Sequence, residues 1–189
     1  LNLAASFQKI EPGFHHQELE MPDVPPPDGL RSDADLRRET VETMPDVDRA
    51  HFLRERPIEY RPVNPRDWVA GESRPAMQQS WFRTVARLPD DPALHRAVIA
   101  YASDSILLGT CTLPHGVTWG QAGFQSASLD HALWLHDEIR ADEWLLYSCD
   151  APWAGRARGF NRGSIFTADG RLVASVAQEG LIRYRPPET

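Results

Sequence analysis

The stretch from Asp91 to Gly109 has the sequence DPALHRAVIAYASDSILLG, and it predicts the longest helix of the chain. Asp91 is a favourable N-cap residue, and Pro92 suits the first position of a helix. The helix body is expected from Ala93 to Leu108, with Gly109 ending it. Because apolar side chains occupy most of its circumference, we expect this helix to be buried and not to lie on the surface.

Alternation of apolar and polar residues predicts strands on both sides of this helix. Asp169 and Gly170 form a typical hairpin-turn pair between the last two strands. Strands joined by short turns pair in antiparallel fashion, and a helix that is apolar on most sides has to be covered by their sheet. The sequence therefore predicts an α+β hotdog fold, in which a curved antiparallel sheet wraps around a central helix. The strands are expected at residues 58–63, 81–88, 125–136, 144–150, 158–167 and 172–185.

The composition divides the chain into three segments. The first contains an alternating apolar stretch, Leu1 to Phe7, that predicts a strand. The second is rich in proline, which removes a backbone donor and fixes φ, so it predicts a linker. Within the linker, a capping-box pattern from Ser32 to Asp35 predicts a polar surface helix that runs through Met44. The third segment carries the predicted sheet and central helix. The segments cover residues 1–17, 18–56 and 57–189, respectively.

The composition also argues against several partners and cofactors. A net charge of −7 disfavours nucleic acid, which needs a basic surface. No apolar run approaches the roughly 20 residues of a membrane span, so no membrane partner is expected. Cys111 and Cys149 lack CxxC spacing, which favours a reducing, cytoplasmic location. The histidines do not stand at metal-ligand spacing with carboxylates, and no Gly-rich phosphate loop is present, so we expect neither a metal nor a cofactor.

Three polar residues fall on predicted apolar faces. Asp104 lies on the apolar side of the predicted helix, where an unpaired carboxylate is costly. Ser128 shares a face of the predicted strand 125–136 with Asp130, and Gln178 ends an apolar row of the last strand. Each can be a structural group satisfied by its neighbours, and the three can equally satisfy one another or hold a water. Side chains alternate along a strand, so Asp130 and His131 are expected to point apart and not to form a catalytic pair.

Several motifs occur in order along the chain and resemble successive signatures of the acyl-CoA thioesterase II family. Two further motifs, ASFQ at 5–8 and GFHHQ at 13–17, resemble the end of that family's first hotdog and the start of its linker. The resemblance therefore extends over essentially the whole chain. The main motifs are YASD at 101–104, SLDHALWLH at 128–136, EWLLY at 143–147, RGFNRG at 158–163 and VASVAQEG at 173–180.

The resemblance implies a double hotdog. Residues 1–17 would be the last strand of a missing N-terminal hotdog, and residues 57–189 the complete C-terminal one. The expected partners are therefore the acyl-CoA substrate and either the missing half or a second copy of the chain. The family's catalytic trio would fall on Asp104, Ser128 and Gln178, where Ser128 replaces the more usual threonine. The resemblance thus implies hydrolysis of acyl-CoA to free fatty acid and coenzyme A by an activated water, without a cofactor.

Two alternatives remain open at this point. One is a non-catalytic acyl-CoA-binding or interaction module, expected if the missing half supplies part of the site. The other is a hotdog enoyl-CoA hydratase, which requires a close Asp/His pair. The expected alternation denies such a pair to Asp130 and His131.

Overall fold

The computed structural model describes residues 2–42, 49–50, 52–67, 71–118 and 121–185. Within these residues, seven antiparallel strands form one sheet in the order β1-β2-β5-β6-β7-β3, and β4 also pairs with β7. The α+β hotdog arrangement predicted from the sequence is confirmed, since the central helical segment packs on one face of this sheet. The strands are β1 Ile58–Pro62, β2 Met77–Thr84, β3 Phe124–Ser128, β4 Ala132–Leu135, β5 Leu145–Gly155, β6 Arg158–Thr167 and β7 Leu172–Tyr184.

The central helix begins as predicted but ends early. The helices are α1 Asp33–Val41, α2 Pro92–Ala102 and α3 Leu107–Thr110, with 3-10 turns at Pro27–Gly29 and Leu113–His115. The Asp91 carboxylate accepts a hydrogen bond from the backbone N–H of Ala93 at 2.9 Å, which caps α2. The predicted continuation to Leu108 is wrong, because residues 103–106 form a turn between α2 and α3.

Side chains from the sheet bind the carbonyls of this turn. The Tyr147 hydroxyl donates to the Ser103 carbonyl at 2.7 Å, and Gln78 Nε2 donates to the Ile106 carbonyl at 2.8 Å. The Tyr60 hydroxyl donates to the Ala102 carbonyl at 3.4 Å. The carbonyl groups at the end of a helix have no hydrogen-bond donors within the helix. Here, side chains of distant strands donate the missing hydrogen bonds. The break is therefore a tertiary feature that helix propensity alone does not predict.

Only one face of α2 is buried. His95, Ile99 and Ala102 face the sheet, whereas Leu94 and Tyr101 are exposed. The expectation that α2 is covered on most sides is therefore wrong for the part of the chain described, because the sheet lies against a single face. The helical stretch from Pro92 to His115 is long and apolar enough to cross a membrane by length and composition, but 50% of its most apolar window is buried in the domain. Such burial is typical of a core helix.

The proline-rich linker packs on the other face of the sheet. Trp81, Leu146 and Phe166 form a second apolar cluster there, and Met21 and Val24 pack against it. Trp81 Nε1 donates to the Pro25 carbonyl at 2.9 Å. The predicted linker is thus a cover for the outer face of the sheet.

The ends of the predicted linker helix and of β2 also differ from expectation. Ser32 Oγ accepts from the Asp35 N–H at 3.1 Å, as the capping pattern predicts, but α1 ends at Val41, and Met44 lies outside the described residues. The strand predicted at 81–88 is found at 77–84. It ends there because Thr84 Oγ1 donates to the Ala86 carbonyl at 2.7 Å and turns the chain out of the sheet.

Residues 2–7 form no strand in the structure, although the sequence pattern predicted one over Leu1 to Phe7. Leu1 lies outside the described residues, and the side chains of Leu3 and Phe7 are 81% and 92% exposed. Residues 2–7 therefore pair with none of the seven strands of the described sheet. An apolar stretch without a neighbouring strand has no hydrogen-bonding partner, which is why alternation alone does not make it a strand here. Its assignment to a further hotdog stays a prediction.

Candidate functional site

Asp104 lies in the turn between α2 and α3 and not on a buried helix face. Its side chain is 57% exposed, so the expected position on the apolar side of the helix is wrong. The early end of α2 is the reason, since residues 103–106 no longer follow the helical rotation on which that expectation was based. The carboxylate is therefore accessible from solvent while remaining attached to the C-terminal end of a core helix.

The three predicted site residues meet at one atom. Gln178 Nε2 lies 2.6 Å from Asp104 Oδ1 and donates a hydrogen bond to it. Ser128 Oγ lies 3.5 Å from the same oxygen, from the end of β3. Gln178 is fully buried, and its Oε1 accepts no hydrogen bond within the described part of the chain. The structure thus joins a helix turn and two strands of the sheet at Asp104 Oδ1.

A β-bulge separates β3 from β4 beside this site. Ser128 pairs with Gly180 and Ala132 with Ala177, so residues 129–131 face only residues 178 and 179 of β7. The backbone N–H groups of Leu129 and Asp130 both point to the Glu179 carbonyl, at 2.9 and 3.4 Å. One extra residue opposite a regular strand changes the direction of the side chains that follow. The continuous strand predicted at 125–136 is therefore wrong at residues 129–131.

The bulge turns His131 towards Asp104, which the sequence analysis missed. His131 Nδ1 lies 3.1 Å from Gln178 Nε2 and 3.8 Å from Asp104 Oδ1. His131 Nε2 lies 2.8 Å from Ser103 Oγ. The strand pattern did not predict this contact, because a continuous strand at 125–136 places His131 on the face opposite to Ser128. The adjacent Asp130 and His131 in the middle of a predicted strand were the available signal.

Asp130 and His131 have different partners, as expected, although for a different reason. Asp130 Oδ1 accepts a hydrogen bond from the backbone N–H of Glu179 at 2.7 Å, so its carboxylate binds β7 across the bulge. The Asp/His neighbours in this site are Asp104 and His131, not the adjacent pair in the sequence. Proximity here comes from the bulge and the helix turn together.

Buried groups around the site stay protonated. Burial raises the pKa of the Tyr147 hydroxyl well above its ordinary value, so the phenol keeps the proton that it donates to the Ser103 carbonyl. Burial also raises the pKa of both thiols, Cys111 and Cys149. Neither thiol has the lowered pKa or the exposure of a nucleophilic cysteine.

The described residues contain no group of three or more His, Cys, Asp and Glu side chains arranged to hold a metal ion. His136 bonds Ser175 on the exposed side of β4, with Nε2 2.8 Å from Ser175 Oγ. His95 Nδ1 accepts from the Ala141 N–H at 3.0 Å in the core. The polar side chains that meet at this site are the carboxylate, hydroxyl, amide and imidazole groups of Asp104, Ser128, Gln178 and His131.

Comparison with known proteins gives a consistent result. The profile of the acyl-CoA thioesterase family matches residues 47–181. Acyl-coenzyme A thioesterase 8 of Homo sapiens is 37% identical over 190 residues, which cover 96% of this chain and 59% of that protein. Acyl-CoA thioesterase 2 of Haemophilus influenzae is 34% identical over 183 residues, which cover 97% of this chain and 64% of that protein. The chain thus spans about three fifths of the length of these curated relatives.

Solved structures agree with the sequence comparison. The crystal structure of an acyl-CoA thioesterase II, TesB2 from Mycobacterium marinum, superimposes with a TM-score of 0.71 at 41% identity, covering 94% of this chain and 60% of that chain. A protein described as having a hotdog fold, from Alicyclobacillus acidocaldarius, superimposes with a TM-score of 0.64 at 16% identity, covering 94% of this chain and 59% of that chain, and supports the fold alone. The chain belongs to the acyl-CoA thioesterase II family.

Proposed function

We propose that this chain carries the catalytic site of an enzyme that hydrolyses acyl-CoA thioesters to free fatty acid and coenzyme A. The observation that supports the proposal most directly is the meeting of Gln178 and Ser128 at Asp104 Oδ1. Asp104 is accessible enough for a substrate or a water to reach its carboxylate. Membership in a family whose curated relatives are named acyl-CoA thioesterases supports the same substrate class.

In the proposed reaction, Asp104 acts as a general base. A water bound to the carboxylate gives a proton to Asp104 as its oxygen attacks the thioester carbonyl, which forms a tetrahedral intermediate. When the intermediate collapses, the C–S bond breaks and the proton passes from Asp104 to the departing coenzyme A thiolate. General-base activation of this kind contributes about 10² to 10⁴ in rate. A thiolate is a good leaving group, so neither a covalent nucleophile nor a metal ion has to be invoked.

Ser128 and Gln178 have separate tasks in this scheme. Gln178 is fully buried, so its amide acts on the carboxylate by holding Asp104 Oδ1 in place. This differs from the expected role, in which the amide holds the water directly. Ser128 is exposed and reaches the same oxygen at 3.5 Å, so its hydroxyl is positioned to contact the attacking water as well. Preorganised polar groups of this kind act without reorganisation during the reaction.

We further propose that the outward face of α2 is covered in the working protein by another hotdog domain, either an N-terminal half or a second copy of this chain. Leu94 and Tyr101 are exposed on that face. A groove of about 540 Å³ runs between α2 and the end of the sheet, and its walls include Ile58, Val85 and Tyr101. Exposed apolar surface of this kind favours association. The donor for the oxyanion of the tetrahedral intermediate is proposed to come from the covering domain.

Enoyl-CoA hydration is the second candidate, because Asp104 and His131 form the close Asp/His pair that this reaction requires. The two side chains approach to 3.8 Å. Hydrolysis is favoured over hydration because Gln178 and Ser128 both contact the carboxylate more closely than His131 does. A non-catalytic acyl-CoA-binding module remains the third outcome of the test.

Product analysis separates these functions. The full-length protein is incubated with a saturated acyl-CoA and, separately, with the matching enoyl-CoA. Release of free coenzyme A thiol from the saturated substrate, lost in Asp104→Asn, is the result expected for the hydrolase. Formation of 3-hydroxyacyl-CoA without thiol release would assign a hydratase, and binding without either product would assign a binding module. Asp137→Asn is the matched control, since Asp137 is an exposed carboxylate that pairs with Arg171 at 2.8 Å.

A further inference from the structure

We propose that His131 is a positioning residue that holds the Gln178 amide against Asp104, and that it does so only as the neutral imidazole protonated on Nε2. The proposal rests on the proposed function of Asp104, Ser128 and Gln178. It adds which group donates and which accepts in the hydrogen bonds that connect Asp104, Gln178, His131 and Ser103. The direction follows from four consecutive contacts, beginning at Asp104.

The first contact fixes the orientation of the amide. A carboxylate oxygen is only an acceptor, so the Gln178 atom that lies 2.6 Å from Asp104 Oδ1 has to be the NH₂ group. The two hydrogens of that group then point in two directions. One points to Asp104, and the other points to His131 Nδ1 at 3.1 Å. The amide oxygen is left on the remaining side, buried and without a donor among the described residues.

The second contact fixes the tautomer of His131. Because Nδ1 receives a hydrogen from Gln178, it has to be the unprotonated nitrogen of a neutral ring. The ring proton is then on Nε2, which lies 2.8 Å from Ser103 Oγ. Ser103 can accept this proton because its own hydroxyl donates to the Ala100 carbonyl at 2.9 Å. The hydrogen bonds therefore all donate in one direction, from His131 to Ser103 and from Ser103 to the Ala100 carbonyl of α2.

Because the groups on both sides of His131 are buried, reversing the direction of these hydrogen bonds would be costly. Ser103 and Gln178, on the two sides of the imidazole, are both fully buried. A buried donor that loses its acceptor is not compensated by solvent, so each reversed bond would leave an unpaired polar group. The backbone of Ser103 is also fixed, since its carbonyl accepts from the buried Tyr147 hydroxyl at 2.7 Å. The end of α2 is thereby coupled through His131 to the amide on β7.

An ion pair between Asp104 and a protonated His131 is the competing interpretation of the same contacts. It requires a hydrogen on Nδ1, and that hydrogen would face the Gln178 NH₂ group at 3.1 Å, whereas Asp104 Oδ1 is 3.8 Å away. The Gln178 NH₂ group and a protonated Nδ1 are both donors, so they cannot form a hydrogen bond with each other. Protonation of His131 therefore displaces the Gln178 amide from its position, and neutral His131 is the state that supports Asp104.

The groups that face His131 come from each neighbouring element. Asp104 approaches from the turn after α2, and Ser103 binds the ring from the same turn. From β5, Tyr147 contacts the Ser103 carbonyl with a protonated hydroxyl. The charged neighbours in the bulge and on β7 are directed elsewhere, with Asp130 on the Glu179 N–H and Glu179 on Arg158 at 3.1 Å. Asp104 is thus the charged group closest to the ring, at 3.8 Å from Nδ1.

The proposal predicts how turnover depends on pH. While His131 is neutral, Nδ1 accepts from Gln178 and Asp104 is held in place. Protonation of His131 removes the acceptor for the Gln178 amide, so turnover is expected to be lost when the ring carries a second proton. The substitution His131→Asn tests this dependence, because the asparagine oxygen can replace the Nδ1 acceptor but does not titrate in this range.

The experiment compares variants of the full-length protein by kinetics and by NMR of ¹⁵N-labelled histidine rings. We expect His131→Phe to lower kcat about 10- to 100-fold with little change in KM, the usual effect of a misplaced catalytic group. His131→Asn is expected to restore most of the lost kcat and to extend activity to lower pH. NMR of the wild-type ring should show a neutral imidazole with its proton on Nε2, and Gln178→Ala should allow the other tautomer.

The controls keep this inference separate from the proposed function. His136→Asn is the matched variant, because His136 bonds Ser175 with the same 2.8 Å geometry on the exposed side of β4, and it should leave both kcat and its pH profile unchanged. If Asp104→Asn is inactive but His131→Phe turns over at the wild-type rate, the role of His131 is refuted while the proposed function stands. If Asp104→Asn is fully active, the proposed function fails. A proton found on Nδ1 of the wild-type ring at the pH of full activity overturns the inference even if His131→Phe does not fold.

Discussion

The Gln178 amide nitrogen lies 2.6 Å from Asp104 Oδ1, although the two residues are 74 positions apart in the sequence. The amide is fully buried and the carboxylate is more than half exposed. A buried group thus holds an exposed one from behind, which leaves the outer side of the carboxylate free for a water or substrate. This relationship makes the contribution of each residue separately measurable.

Removal of the Gln178 amide is expected to lower turnover of the full-length protein. Gln178→Ala should reduce kcat about 10²- to 10³-fold, because one preorganised polar group is lost beside the reacting centre. Steady-state kinetics with a saturated acyl-CoA provides the measurement. Gln125→Ala is the control, since Gln125 is an exposed glutamine on β3. A folded Gln178→Ala protein with wild-type kcat would contradict the proposed role.

The hydroxyl of Ser128 matters more than its exact side chain. Ser128→Ala should lower kcat about 10- to 100-fold, the rate equivalent of one hydrogen bond to a charged group. Ser128→Thr keeps the hydroxyl and adds a methyl group that restricts its rotamers, so it should retain activity within about threefold. Both variants are compared by kcat on one substrate. Equal losses in the alanine and threonine variants would show that shape, and not the hydroxyl, is what the site requires.

Gly163 is expected to be intolerant of any side chain. A Cβ at this position would overlap the ring of Tyr147, whose hydroxyl is fixed on the Ser103 carbonyl. Gly163→Ala should therefore destabilise the protein by about 1 to 3 kcal/mol, the usual effect of overpacking. Chemical denaturation measures the change. Gly29→Ala has open space around the new Cβ and should cost far less. Equal stability of the two variants would show that Tyr147 can move without penalty.

Metal chelation should leave activity unchanged. The described residues bring no three His, Cys, Asp or Glu side chains together as ligands, and the proposed reaction uses the Asp104 carboxylate instead. Turnover is measured before and after incubation with EDTA, and again after the addition of zinc. Loss of activity in EDTA with recovery on zinc would reveal a metal site and refute the metal-free scheme.

The 189-residue chain on its own is expected to associate. Its exposed apolar side chains on α2, Leu94 and Tyr101, and on β4, Trp134, form surface that water covers poorly. Light scattering should detect self-association, and a thioester assay on the same sample should show activity well below that of the chain joined to an N-terminal hotdog domain. A monodisperse monomer with full activity would rule out the need for a covering domain.

The sequence predicts those parts of the fold whose causes are local. β6 has the predicted bounds, because the Asp169-Gly170 turn follows it directly. The start of α2 is predicted by its own cap. The end of α2 is not, since the carbonyls there are bound by Tyr147 and Gln78 from distant strands.

The candidate site likewise contains residues that the sequence indicates and one that it does not. Motifs that resemble a known family indicated Asp104, Ser128 and Gln178, and the structure brings the three side chains together. Residue patterns alone left each with a structural alternative. His131 could not be predicted, because its direction depends on how many residues of β7 face residues 129–131, and such pairing is not visible in one strand's own sequence.

The bulge between Ser128 and Ala132 decides on which face of the sheet His131 lies. Ser128 and His131 stand three positions apart, so unbroken alternation would place their side chains on opposite faces. The extra residue brings both side chains to the face of Gln178. Deletion of Leu129 or Asp130 would leave two residues opposite residues 178 and 179, so pairing would become regular while Ala132 still faces Ala177 and His131 keeps its face. The register of Ala132 against Ala177, and not the exact length of the bulge, is therefore what keeps the imidazole beside Asp104 during evolution or engineering.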